Sequence, residues 1–124
     1  MLEKNLIKKF MEEVKKKHPS CWFFKSHGQP MQVRGIPDII LCFYGIFVGI
    51  EFKIIRDFQM KITPYQQHTL EEIHNAGGFP VIVWYHNKQE KYGVLKHSFN
   101  TIKKAVDFFC EECFEVKKNL IISE

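Results

Sequence analysis

The sequence predicts an α/β fold in which a mixed β-sheet is covered by helices on both faces. Three observations carry this expectation. Apolar residues recur at helical spacing in three separate stretches, short apolar and aromatic runs lie between them, and Gly, Pro or polar segments punctuate the blocks. The 124 residues are 45% hydrophobic and 15% aromatic, with twelve Phe, enough for a real core in one compact domain spanning 1–124.

The elements follow in order. Leu2, Leu6, Ile7, Phe10 and Val14 place an amphipathic helix over Leu2–Lys17. His18-Pro19 ends it, because proline disfavours helical geometry in the residue before it. Cys21–Lys25 is short and aromatic and suits a strand, and Ser26–Gly35, with two glycines and a proline, reads as a loop. The apolar runs Ile39–Phe43 and Ile46–Phe52, broken at Tyr44-Gly45, read as a hairpin. Thr63-Pro64 is a helix start, with threonine as cap and proline at the first helical position. That helix runs through Leu70 and Ile73 and stops at Gly77-Gly78. Phe79–Tyr85 and Tyr92–Leu95 read as strands joined across His86-Asn87-Lys88. Ser98 would cap a last helix carrying Phe99, Ile102, Val106 and Phe109, and nothing beyond Cys113 forms a pattern. The expected order is therefore αβββαββα.

Composition excludes several classes. No apolar run reaches membrane-span length, since Ile46–Ile50 is soon followed by Glu51 and Lys53. Met1–Asn5 lacks the apolar stretch of a secretory signal, so a soluble intracellular protein is expected. The net charge of +4, from 18 Lys and Arg against 14 Asp and Glu, is compatible with nucleic acid but does not single it out. Cys21 and Cys42 fall in apparent strands and read as small buried hydrophobes. Cys110 and Cys113 form one CxxC without the further ligands that zinc needs. His18, His74, His86 and His97 show no ligand spacing, and Trp22, Trp84 and Tyr85 read as core or sheet residues rather than base-stacking platforms.

The hairpin carries the chemistry. With Tyr44-Gly45 as its turn, Phe43 faces Ile46, Leu41 faces Val48, Ile39 faces Ile50 and Asp38 faces Glu51. Opposed residues share a side of the sheet, and Lys53, two residues past Glu51, shares it too. Ile39, Leu41, Phe43, Val48, Ile50 and Phe52 fall on the other side as a core face. Two opposed carboxylates beside such apolar strands repel, and burial raises the cost. A divalent cation would resolve the conflict, with Gly49 leaving room for it or for substrate. A solvated sheet edge with a Glu–Lys pair is the competing reading of the same residues.

Gly35-Ile36-Pro37-Asp38 followed by Glu51-Phe52-Lys53 resembles the PD-(D/E)XK nuclease signature. Adding Ile62-Thr63-Pro64-Tyr65-Gln66 and the Gly77-Gly78 pair before an apolar strand, the order resembles the VRR-NUC family of virus-type replication and repair nucleases over Glu3–Trp84. The resemblance implies a restriction-endonuclease-like core. It implies Asp38 and Glu51 as metal ligands, with the Phe52 carbonyl and Glu3 helping, for Mg²⁺ or Mn²⁺. Lys53 would be the catalytic lysine, and Gln66, at the start of the following helix, would be a further catalytic residue near the substrate or metal shell. Lys25, His27, Arg34, Arg56 and Lys61 flank the site and would contact phosphates, or else form a solvated basic surface. The implied activity is metal-dependent endonucleolytic cleavage of branched DNA by a homodimer, in the manner of a Holliday-junction resolvase, and the implied source is a virus or phage. A nicking or flap-type nuclease subunit of a replication complex and a non-catalytic DNA-binding module are the alternatives.

Overall fold

The computed structural model describes residues 1–26, 34–57 and 59–122, the side chains of 121 and 122 excepted. The elements are α1 (Glu3–Lys17), β1 (Trp22–Lys25), β2 (Ile39–Phe43), β3 (Ile46–Ile55), α2 (Pro64–Asn75), β4 (Phe79–His86), β5 (Lys91–Val94), β6 (His97–Phe99) and α3 (Ile102–Ile122). The strands form a mixed sheet in the order β1-β2-β3-β4-β5-β6. Only β3 and β4 run parallel; every other neighbouring pair is antiparallel. Parallel neighbours need a crossover, and α2 supplies it. It packs over β4 on one face, while α1 and α3 pack together on the other.

The hairpin register follows from its turn. Tyr44 and Gly45 both have positive φ, 49° and 89°, as a two-residue hairpin turn of the primed kind requires. Phe43 then pairs with Ile46, Leu41 with Val48 and Ile39 with Ile50, as expected. Ile39, Leu41, Phe43, Val48, Ile50 and Phe52 are all fully buried in one core with Leu6, Phe10 and Val14 of α1 and Val106 and Phe109 of α3. Phe10 meets Phe52 and Phe109 edge to face, at centroid distances of 5.6 and 5.3 Å. Such pairs contribute roughly 0.5–1.5 kcal/mol beyond the area they bury.

Several boundaries differ from expectation. β3 runs three residues past Phe52 because β4 lies parallel beside it, pairing Lys53 with Trp84, Ile54 with Tyr85 and Ile55 with His86. Ser98 is not a helix cap. It lies in the unexpected strand β6, paired with Gly93, and Phe99 beside it belongs to the same strand. The cap of α3 is Thr101, whose Oγ1 accepts from Lys104 N at 3.2 Å. α3 continues to Ile122, well past Cys113, with Val116 packed on the core.

Cys42 is exposed rather than buried, since it points away from its neighbours Leu41 and Phe43. Cys21, Cys110 and Cys113 are buried, and burial pushes the Cys110 thiol up to about 11 and raises that of Cys113 as well. Most of the expected loop Ser26–Gly35, His27 included, lies outside the described residues. Among the described residues, no helix is long and apolar enough to cross a membrane.

Candidate active site

The site begins with the start of α2. Thr63 Oγ1 accepts from Gln66 N at 3.2 Å, and Gln66 Oε1 accepts from Thr63 N at 3.0 Å, a complete capping box with Pro64 at the first helical position. The box holds the Gln66 side chain over β3. Its Oε1 also accepts from Lys53 Nζ at 2.9 Å, while its Nε2 donates to Glu51 Oε1 at 3.1 Å. A local device for starting a helix thereby orients two side chains of the neighbouring strand.

Asp38 is held from the other side. Ser26 N donates to Asp38 O at 2.9 Å, and Ser26 Oγ donates to Pro37 O at 2.8 Å. Gly35, at φ 83°, lies so close to the first turn of α2 that a Cβ would come within 2.4 Å of Tyr65 O. β2 begins at Ile39, opposite Ile50, so β3 has no β2 partner from Glu51 onward. The Asp38 carboxylate fills that gap, its Oδ2 accepting from Phe52 N at 2.8 Å. The Phe52 carbonyl leaves the strand on the same edge as its N–H.

Glu51 is only 2% exposed. Burial above all, and then the facing Asp38 carboxylate, push its carboxyl up to about 9; Lys53 opposes the shift and Glu3 adds a little to it. One of its oxygens, Oε2, is buried with no hydrogen-bond partner among the described residues. An orphaned buried carboxylate oxygen is costly, and a proton or a cation would relieve it. Two carboxylates and a backbone carbonyl are hard oxygen donors of the kind Mg²⁺ and Mn²⁺ take, so the residues fit such an ion. Among the described residues, no three Asp, Glu, His or Cys side chains stand close enough to hold a metal by themselves. Backbone carbonyl, water or substrate oxygens would have to supply the remaining ligands.

Glu3, in the first turn of α1, lines a cleft of about 210 Å³ with Lys53, Arg56 and Lys61. Its carboxyl is raised by burial and by Asp38, and lowered by Lys53, so it senses the same charges without joining the pair. The other basic candidates separate. Arg34 lies over the Tyr65 ring, 5.3 Å from its centroid, and Lys25 sits on the far face of the sheet, paired with Ile39. Gly49 does not open space for metal or substrate. A Cβ there would meet Ile73 Cδ1 at 2.8 Å and Pro37 Cγ at 3.1 Å, so the missing side chain lets α2 pack down. Ser26 is a positioning residue without a sequence signal, because its partners Pro37 and Asp38 lie more than ten residues along the chain.

No family model and no curated protein matches this sequence. Among solved structures, the chain is similar to Hjc of Archaeoglobus fulgidus, a Holliday junction resolvase from an archaeal hyperthermophile. The similarity has a TM-score of 0.56 at 11% identity and covers 92% of this chain and 97% of that one. It is a likeness of fold, and the α/β architecture of this chain, a six-stranded mixed sheet flanked by helices, is restriction-endonuclease-like.

Proposed function

We propose that this chain is a Mg²⁺- or Mn²⁺-dependent endodeoxyribonuclease acting on branched DNA, as a Holliday-junction resolvase does. The observation that carries the reading is the buried Glu51, with one oxygen unsatisfied, facing Asp38 and tied through Gln66 to Lys53. A solvated Glu–Lys pair at a sheet edge would not leave a carboxylate oxygen buried and bare. The motif order and the resolvase-like fold support the same reading.

Asp38 and Glu51 would hold the ion, with the Phe52 carbonyl and Glu3 assisting. When bound, the ion supplies Lewis-acid activation of the phosphodiester and of the attacking water. The rest is the work of the chain. Lys53 places a positive charge where negative charge develops on the phosphate. Gln66 holds Lys53 and Glu51 in register, so neither must be reorganised during reaction. Arg56 and Lys61, on the rim of the same cleft, attract the DNA backbone, and Lys25 and Arg34 contact phosphates farther out. Action as a homodimer, with two sites for paired cuts, belongs to the proposal, as do VRR-NUC membership and a virus or phage source.

The test is cleavage of a labelled four-way junction beside matched duplex, flap and single strand, in Mg²⁺, Mn²⁺ or EDTA, with light scattering for the dimer. Paired metal-dependent cuts near the junction, lost in Lys53→Ala, are expected. Cuts in flap or duplex alone would replace the substrate, and no cleavage with either metal would overturn the nuclease reading.

A further inference from the structure

A groove of about 480 Å³ runs between α1 and β1, on the face of the sheet opposite α2. Its floor is apolar, formed by Ile7, Met11, Phe23 and Ile39. Lys4, Lys8 and Lys25 line its rim. Lys4 and Lys8 are one turn apart on α1 and therefore share a face. None of these three lysines has a hydrogen-bond or ion-pair partner among the described residues. Lys15 also lines the groove but is spent on the carbonyls of Pro19 and Cys21, and Glu12 contributes the one negative charge.

An apolar floor with an aromatic ring beneath a rim of lysines matches an unpaired strand better than a duplex. A duplex keeps its base faces stacked inside, whereas a single strand can lay a base on a ring while cations take its phosphates. From the charge and the floor together, we infer that this groove binds an unpaired nucleic-acid strand. The inference rests on the nuclease reading for its biological sense, but it is a statement about binding and can be measured without cleavage.

The experiment is fluorescence anisotropy in EDTA with labelled oligothymidine and a matched duplex, repeated over a range of salt. The variants are Lys4→Ala/Lys8→Ala, Phe23→Leu, and Lys103→Ala/Lys104→Ala on α3 as a control of equal charge change. The Lys4/Lys8 variant should bind oligothymidine about tenfold more weakly, with the slope of log K against log salt shallower by about 1.4, as two lost phosphate contacts require. Phe23→Leu should weaken the strand and spare the duplex, and the control should match wild type. Wild-type affinity and slope in the Lys4/Lys8 variant would overturn the groove, whether or not the protein cleaves junctions. Equal losses for strand and duplex would overturn the preference for an unpaired strand. Absence of cleavage with either metal, alongside the expected binding losses, would sink the nuclease reading while supporting the groove.

Discussion

The two faces of the sheet are made by the same strands and behave differently. On the face beneath α1 and α3, Leu41, Phe43, Val48, Ile50 and Phe52 are fully buried in a closed apolar core. On the other face α2 covers the middle, over Gly49 and β4, and leaves the β1–β2 end open. There Trp22, Phe24 and Phe47 are 61%, 51% and 47% exposed. Farther along β3 on this second face, against the first turn of α2, lie Glu51 and Lys53. Strand alternation separates the two tasks. Every second residue of β3 supplies burial, and the residues between them are released from that duty and can hold charge.

Substitutions on each face test this division. The largest effect is expected from Phe52→Ala. It deletes a fully buried ring touching Phe10 and should lower unfolding free energy by about 3–5 kcal/mol in denaturant titrations. One residue on, Lys53→Ala should cut the rate of junction cleavage by roughly 10²–10³-fold. Its thermal melting should stay near wild type. A melting collapse as large as that of Phe52→Ala would show that both faces are structural, and would break the comparison.

Glu51 gives a pH signature. Its folded value of about 9 lies above its ordinary value of 4.5, so the folded protein binds the proton more tightly than the unfolded chain. Stability of the metal-free protein should therefore be full at the low end of that window and be lost as pH rises through it. Melting in EDTA at stepped pH should show the decline, and Glu51→Gln should flatten it. Mg²⁺ added near pH ~8 should raise the melting temperature of wild type and leave that of Glu51→Gln unchanged. A flat wild-type profile would mean that Glu51 does not bind its proton more tightly in the folded protein.

Smaller effects refine the picture. Thr63→Ala removes one half of the capping box and should cost about 1 kcal/mol. Because the same box holds Gln66 against Lys53 and Glu51, it should also slow cleavage; a loss of stability with unchanged cleavage would detach the cap from the site. Trp22→Thr, on the open part of the second face, should change stability by no more than about 0.5 kcal/mol in denaturant titrations.

The arrangement of the candidate site was legible in the sequence where its causes are local. A two-residue turn at Tyr44-Gly45 sets the hairpin register, and the period of two then puts Asp38, Glu51 and Lys53 on one side and the apolar residues on the other. Thr63, Pro64 and Gln66 announce a helix start whose hydrogen bonds span three residues. β6 was missed because His97–Phe99 is too short and too polar to show alternation, and it exists only because β5 offers an edge. Cys42 was misjudged because it lies on the side of the sheet that also leaves its neighbours Trp22 and Phe47 exposed, and no property of the strand itself reveals which side is covered.

The sequence by itself determined the elements whose signals are short in range: three helices, the hairpin, the cap of α2 and the facing carboxylates. Turn length, side-chain period and capping hydrogen bonds all act within a few residues. Tertiary structure alone decided the parallel pairing that lengthens β3, the use of Gly49 as a seat for Ile73, the Ser26 clamp on Pro37 and Asp38, and the bare oxygen of Glu51. Each of these depends on which distant segment arrives beside it, and burial, the force that assembles those segments, is non-directional and leaves no short-range mark in the chain.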